Sequence, residues 1–230
     1  MLQQTQVDRV IEPYDRFLRR FPAPLSLAEA QLADVLTLWQ GLGYNRRGAN
    51  LKRAAEMVVE RHNGILPQDI QQLQALPGVG HYTASAIAIF AFGQAHPLIE
   101  TNIRALYLHL FFTNAEEVHD RQIIPLVAAT MDKTRPREWF YALMDLGAAL
   151  KREIPNPGRR SAHHTRQSPF RGSNREQRSL LLRAVLASKG LTGNELLTLT
   201  PGREDEAMRN LSDLVREGLL RRQGERYLVS

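Results

Sequence analysis

The string LPGVGHYTASAIAIFAFG at residues 76–93 joins a glycine-rich turn directly to an apolar helix. Glycines permit positive φ and a close backbone approach, and the start of a helix leaves N–H groups that suit a phosphate. With a short helix predicted just before the turn, the pattern is helix–hairpin–helix, which holds a DNA backbone without reading its sequence. An ordinary αα-hairpin is the alternative. The candidate DNA contacts of this segment are Gly78, Val79, Gly80, His81 and Thr83.

A carboxylate follows one helix later, in the string HPLIETNIRAL at residues 96–106. Glu100 lies just before a predicted helix, where the helix dipole stabilises negative charge. Acidic residues often occupy this position as simple N-terminal caps. The spacing from the hairpin favours a functional carboxylate, so Glu100 is a candidate catalytic residue.

Composition narrows the classes of protein that remain. The 230 residues contain no cysteine, which excludes disulfides, cysteine nucleophiles and cysteine-ligated iron–sulfur clusters. Residues 1–150 carry 14 basic and 15 acidic side chains, whereas residues 151–230 carry 16 and 9. A near-neutral body with a basic tail indicates a polyanionic partner, and nucleic acid is the first candidate. No apolar stretch is long enough to span a bilayer, and the N-terminus lacks the features of a signal peptide.

The elements that must position these residues are helical. Apolar residues recur at helical spacing throughout residues 1–153, and no convincing strand precedes residue 150. Prolines, glycines, serines and arginines then indicate an irregular basic linker over 154–174. Residues 175–230 predict three helices and a glycine hairpin, the order of a winged helix-turn-helix. The predicted fold class is mainly α, a helix–hairpin–helix body with a small C-terminal winged-helix-like domain.

Four strings, in order, resemble the helix–hairpin–helix (HhH-GPD) DNA glycosylases, specifically the branch of MutY-like adenine glycosylases and mismatch thymine glycosylases. They are MLQQTQVDRVIEPYDRFLRRFP, LWQGLGYNRRGANLKRAA, LPGVGHYTASAIAIFAFG and MDLGAAL. The resemblance implies a double-stranded DNA partner that holds a mismatched or damaged base. Such enzymes flip the nucleotide into a pocket between two helical subdomains and cleave its N-glycosidic bond.

The resemblance also implies roles for two candidate catalytic residues. Glu100 stands where the family normally has aspartate, a carboxylate that stabilises the oxocarbenium-like sugar. Tyr82 stands where bifunctional members have a lysine that forms a Schiff base. Because tyrosine forms no imine with a sugar aldehyde, a monofunctional glycosylase is implied. The alternative for Tyr82 is a half-buried helix aromatic.

Two of the strings contain residues that, in the family, fill the gap left by the flipped base and probe the opposite one. The glutamines Gln3 and Gln4 would bond to base edges, and Tyr44, beside Leu42, would wedge between bases. Without the resemblance, these residues read as surface glutamines and a loop aromatic packed on the core. Arg46 and its neighbour Arg47 are candidate phosphate contacts, with a solvated pair as the alternative.

Three departures separate this chain from the family pattern. The family's catalytic glutamate and a preceding helix lie upstream of the string that starts here at Met1, so we expect little activity from residues 1–230. A basic linker replaces the four-cysteine loop, so we expect no iron–sulfur cluster, no metal and no other cofactor. A winged helix, which binds DNA or protein, stands in place of the β-rich domain that recognises oxidised guanine. The linker's candidate phosphate contacts are Arg159 and Arg160, with Arg166 and Arg171.

Three hypotheses for the function remain open. The first is a glycosylase of DNA repair that removes adenine opposite guanine or 8-oxoguanine. The second is a mismatch uracil or thymine glycosylase on the same fold. The third is a DNA-binding protein that kept the scaffold and lost the catalytic acid. For each we expect a monomer in the cytoplasm, associated with the nucleoid.

Overall fold

The computed structural model describes residues 1–3, 5–165 and 169–230. The described chain is mainly α-helical, with one small three-stranded antiparallel sheet near its C-terminus, which confirms the predicted fold class. None of the described helices combines the length and apolarity that crossing a membrane requires. Two of the predicted DNA contacts, Gln4 and Arg166, lie outside the described residues.

The chain forms two compact units, and the first combines both ends of the sequence, residues 1–66, 76–78 and the described part of 168–230. Its N-terminal part is held by an aromatic cluster in which Phe17 packs edge-on against Phe21 at 5.0 Å and Trp39 at 5.9 Å between ring centroids. The elements of this part are a 3-10 turn at Val7–Arg9, then α1 (Ile11–Arg20), α2 (Pro24–Ala28), α3 (Leu32–Trp39) and α4 (Arg46–His62).

The second unit contains residues 67–75 and 79–167. Its helices are α5 (Ile70–Ala75), α6 (His81–Phe90), α7 (Thr101–Phe111), α8 (Asp120–Thr130) and α9 (Pro136–Glu153), followed by a 3-10 turn at Pro157–Arg160. α7 lies in the core, because Ile103 and Leu108 are fully buried together with Ile123 of α8 and Phe140 of α9. The helix that follows Glu100 is therefore anchored by apolar packing.

The C-terminal part of the first unit has the element order of a winged helix. It comprises α10 (Asn174–Leu186), β1 (Leu191–Thr192), α11 (Gly193–Leu197), α12 (Glu204–Arg216), β2 (Leu220–Gln223) and β3 (Arg226–Val229). β3 lies between β1 and β2 and is antiparallel to both. Its core includes Leu181, Leu211 and Leu219, and it also includes Leu36 of α3 and Ala49 of α4. The two compact units therefore do not coincide with the predicted division into a body (1–153), a linker (154–174) and a winged helix (175–230).

Local side-chain bonding explains where the elements differ from the predicted ones. The helical spacing extends to the N-terminus, but α1 begins only at Ile11, and carbonyl groups near the N-terminus instead accept hydrogen bonds from the Arg47 side chain. α5 starts at Ile70 because Asp69 accepts the backbone N–H groups of the two residues that follow Ile70. The linker begins with ordered structure, in which Val118 pairs with Ser161 in a β-bridge.

Gly147 of α9 allows a close approach to the first turn of α7. A Cβ at Gly147 would lie 2.2 Å from the carbonyl oxygen of Asn102 and 2.6 Å from its carbonyl carbon. Because both atoms belong to the backbone in the first turn of α7, no side-chain rotation relieves the clash. Gly147 therefore sets the distance between α9 and the helix end that carries Glu100.

We expect Gly147→Ala to lower the free energy of unfolding by about 2–3 kcal/mol, since the backbone of α7 must move to admit the methyl group. Urea unfolding followed by circular dichroism measures the loss. Leu146→Ala is the control, because the neighbouring Leu146 is exposed on the same helix. Equal stability of the parent and Gly147→Ala would contradict the close packing.

Candidate functional site

The helix–hairpin–helix segment consists of α5, the turn at 76–80 and α6. Gly78 has φ of +76°, and a Cβ there would lie 2.7 Å from both Cβ and Nδ2 of Asn50, so both the conformation and the space require glycine. Gly80 is the N-terminal cap residue of α6 and has no side chain, so it supplies no side-chain acceptor for the N–H groups of the first turn. Of the candidate contacts, Gly78, Gly80 and His81 are exposed, and Val79 and Thr83 are half-buried.

Glu100 is the N-terminal cap of α7. Its Oε1 accepts the backbone N–H groups of Asn102 at 2.6 Å and Ile103 at 2.8 Å. Its Oε2 accepts the hydroxyl of Thr101 at 3.0 Å. The capping role considered from the sequence is therefore present. It is compatible with a chemical role, because the same bonds fix the carboxylate in one orientation at the positive end of α7.

Tyr82 lies in the first turn of α6, within the electrostatic reach of Glu100. Its side chain is 42% exposed. Partial burial raises the pKa of the Tyr82 phenol, the negative charge of Glu100 raises it further, and Arg104 opposes the shift. The phenol is therefore neutral at physiological pH and keeps its proton. The structure thus brings together the two residues that the sequence selected as catalytic.

Beside this pair lies an ion pair that the sequence analysis missed. Arg104 is one helical turn after Glu100, and its Nε and Nη2 each donate to one oxygen of Asp120 at 2.7 Å. This bidentate bond lowers the pKa of Asp120, and the nearby rings of His163 and His119 lower it further. The spacing of four residues places Arg104 one turn after Glu100, but no local pattern in the sequence indicates its bond to Asp120.

Tyr44 and Leu42 lie in one loop of the first unit, and of these two residues only Tyr44 is exposed to solvent. Tyr44 is 40% exposed and adopts φ of +49°, an uncommon conformation for a bulky residue. Leu42 is 2% exposed and packs in the core with Phe17 and Trp39. This corrects the expectation that Leu42 is available to DNA, because apolar packing holds its side chain inside. Gln3 lies exposed on the N-terminal segment.

In each of two pairs of adjacent arginines, the first side chain is exposed and the second bonds to backbone carbonyls. Arg46 and Arg159 are exposed, as the proposed phosphate contacts require. Arg47 instead turns toward backbone carbonyls of its own unit. Arg160 donates to the carbonyls of Thr113 at 2.6 Å, Leu108 at 2.9 Å and also Phe112, at the C-terminal end of α7. The expectation of a phosphate contact is thus corrected for Arg160, since its guanidinium caps a helix.

The described residues contain no group of three or more histidine, aspartate or glutamate side chains arranged to hold a metal ion. The cysteine-ligated cluster of most relatives does not fit this chain, because the sequence has no cysteine. In the segment after α9, the Arg160 cap and the bridge between Val118 and Ser161 hold the backbone against the second unit. His163 adds an edge-on ring contact with His119 at 5.6 Å.

We expect Asp120→Asn to lower the free energy of unfolding at pH 7 by about 1–2 kcal/mol, because it leaves Arg104 without its anionic partner. The folded-state pKa of Asp120 lies below the ordinary value of 3.8, so its contribution is present above that value and is lost as the pH falls below it. Urea unfolding of parent and variant should therefore converge in acid. Exposed Glu116 supplies the control, Glu116→Gln. A pH-independent difference would contradict the role of the pair.

Comparison with known proteins places these features in a family. The sequence profile of the HhH-GPD superfamily base excision DNA repair protein matches residues 1–126. An adenine DNA glycosylase of Mycobacterium tuberculosis is 38% identical over 153 residues, which cover 65% of this chain and 50% of that protein. The adenine DNA glycosylase of Homo sapiens is 40% identical over 154 residues, 65% of this chain and 28% of that protein. The chain thus matches half or less of the length of these two curated relatives.

Solved structures share the fold at lower sequence identity. A thermostable thymine-DNA glycosylase superposes with a TM-score of 0.58 and 23% identity, covering 64% of this chain and 69% of that one. A trapped endonuclease III–DNA covalent intermediate gives a TM-score of 0.55 and 20% identity, covering 74% and 73%. These likenesses concern the fold alone. The family membership rests on the profile match, which covers more than half of the residues: the chain belongs to the HhH-GPD superfamily of base excision DNA repair proteins.

Proposed function

We propose that this protein is a monofunctional DNA N-glycosylase that removes adenine opposite guanine or 8-oxoguanine from double-stranded DNA. The observation that carries the proposal is the Glu100 carboxylate, fixed at the start of α7 within electrostatic reach of the partly exposed Tyr82. The choice of adenine is supported by relatives named adenine DNA glycosylase, which match the part of the chain that contains both residues.

The chemistry follows from the charge of Glu100. As the bond between C1′ and the base breaks, its electron pair leaves with the base and positive charge develops on the sugar. A carboxylate that is already oriented by three hydrogen bonds stabilises this charge without reorganising during the reaction. The neutral Tyr82 phenol offers a hydrogen-bond donor and no amine, so no imine forms. A water molecule instead adds its hydroxyl to C1′, and its proton passes to the departing base. This hydrolysis requires no cofactor.

DNA contact is assigned to exposed groups of each unit separately. In the second unit, the start of α6 with Gly80 and His81 would receive a backbone phosphate. In the first unit, Tyr44 would enter the base stack and Arg46 would contact a phosphate. Arg159 would supply a further phosphate contact from the segment after α9. We expect the enzyme to act as a monomer in the cytoplasm, associated with the nucleoid.

The substrate is tested by incubating the protein with duplexes that contain A·8-oxoguanine, A·G, T·G or U·G, followed by alkaline cleavage of abasic sites. Strand breaks at adenine are expected, at a low rate in keeping with the little activity expected from residues 1–230. Cleavage only in the T·G or U·G duplexes would show that the excised base is the mismatched pyrimidine and not adenine. Specific binding with no cleavage of any duplex would overturn the enzyme and favour the DNA-binding protein.

Glu100→Gln should reduce the single-turnover excision rate by roughly 10²–10³-fold, because the variant keeps a hydrogen-bond acceptor at the cap and loses its charge. Affinity for a duplex with a non-cleavable abasic analogue should remain. Glu116→Gln, an equivalent substitution at an exposed site of the same unit, should leave the rate unchanged. A fully active Glu100→Gln enzyme would remove Glu100 from the mechanism.

Tyr82→Lys should convert the protein into a lyase. The new amine would lie near Glu100, where it can attack C1′ and form an imine with the ring-opened sugar. Borohydride should then trap a covalent protein–DNA adduct, and strands should break without alkali. Tyr82→Phe is the control and should give no adduct. An excising Tyr82→Lys variant that forms no adduct would show that this side chain does not face the sugar.

A further inference from the structure

Arg47, the second residue of α4, is the most extensively bonded arginine of the first unit's N-terminal part. Its Nη1 donates to the carbonyls of Gln3 at 2.6 Å and Met1 at 3.1 Å. Its Nη2 donates to the hydroxyl of Thr5 at 3.0 Å and the carbonyl of Leu42 at 3.2 Å. One side chain therefore joins two segments that are remote in sequence, residues 1–5 and the loop at 41–44.

The guanidinium of Arg47 also lies close to two aromatic rings. Its Cζ is 5.6 Å from the ring centroid of Trp39 and 5.7 Å from that of Tyr44. Trp39 is buried, whereas Tyr44 is partly exposed, so the arginine connects the core to the surface aromatic. Burial lowers the pKa of Arg47, and Tyr44 acts in the opposite direction.

The loop at 41–44 needs such support because its backbone is unusual. Gly41, Gly43 and Tyr44 have φ of +85°, +72° and +49°. The first two are glycines, but a tyrosine in this region is strained. The surroundings hold it there: the Trp39 indole donates to the Gly43 carbonyl at 3.2 Å, and Thr5 donates to the Leu42 carbonyl at 3.1 Å. Arg47 contacts Thr5, Leu42 and both aromatic rings of this arrangement, whereas Arg9 donates to the Gly41 carbonyl.

We propose that Arg47 is a positioning residue that fixes Tyr44 and the Gln3 segment as one rigid surface for probing the base stack, and that it is not a phosphate contact. The inference rests on the proposed function for its DNA partner. A phosphate would have to displace the carbonyl and hydroxyl acceptors that occupy both terminal nitrogens of the guanidinium, whose Nε is buried, whereas the adjacent Arg46 is exposed. Rigidity matters because an ordered wedge loses less conformational entropy on entering DNA.

The test compares Arg47→Lys with Arg46→Ala, using the full chain and a non-cleavable duplex that carries 2-aminopurine next to the mismatch. The lysine keeps the charge and loses the planar fork. Arg47→Lys should abolish most of the fluorescence rise that reports unstacking, while the slope of log K against log salt stays unchanged. Arg46→Ala should keep the fluorescence rise and flatten the slope by about 0.9, the effect of one lost phosphate contact.

A double-mutant cycle with Tyr44→Ala links the two residues. If Arg47 acts through Tyr44, Tyr44→Ala alone should remove the fluorescence rise, and adding Arg47→Lys should have little further effect. A urea unfolding curve for each variant separates positioning from loss of the fold. A folded Arg47→Lys variant with a normal fluorescence rise, or with the flattened slope of Arg46→Ala, would overturn the proposal. Unstacking by a parent that excises no base would refute the glycosylase and leave the role of Arg47 standing.

Discussion

The bond between the Glu100 carboxylate and the first-turn N–H groups of α7 is the interaction on which the proposed chemistry depends. It combines a capping bond with the placement of a negative charge, so the same atoms stabilise the helix and define the reactive position. The buried residues of α7 prevent the helix from moving, and the glycine in α9 allows the neighbouring backbone to approach. The carboxylate is therefore held by the core of the second unit.

Arginine side chains have two distinct roles in this protein, and the two members of an adjacent pair take different roles. In the pairs 46–47 and 159–160, the first arginine is exposed and the second donates to backbone carbonyls. The inward arginines support loops and a helix end by donating to their backbone carbonyls. A count of basic residues therefore overstates the charge that faces a nucleic acid, and the partner class indicated by the basic tail stays a prediction.

Much of the architecture was predictable because it depends on local patterns. Helical periodicity and the glycine hairpin predicted the order of elements, and the motif strings predicted the family. Placement of individual side chains was less accessible. Leu42 is buried and Arg47 turns inward because of contacts with residues 1–5 and α3, which are distant in sequence. The partnership of Arg104 with Asp120 depends on how α7 meets α8.

The core shared by α3, α4 and the C-terminal residues has a consequence for how the polypeptide is made. Leu36 and Ala49 complete their packing only with residues such as Leu181 and Leu219. This packing therefore requires the closure of a loop of more than a hundred residues. On the ribosome, the continuous stretch 79–167 can collapse first. The first helices then remain partly unpacked until the last strands emerge from the exit tunnel.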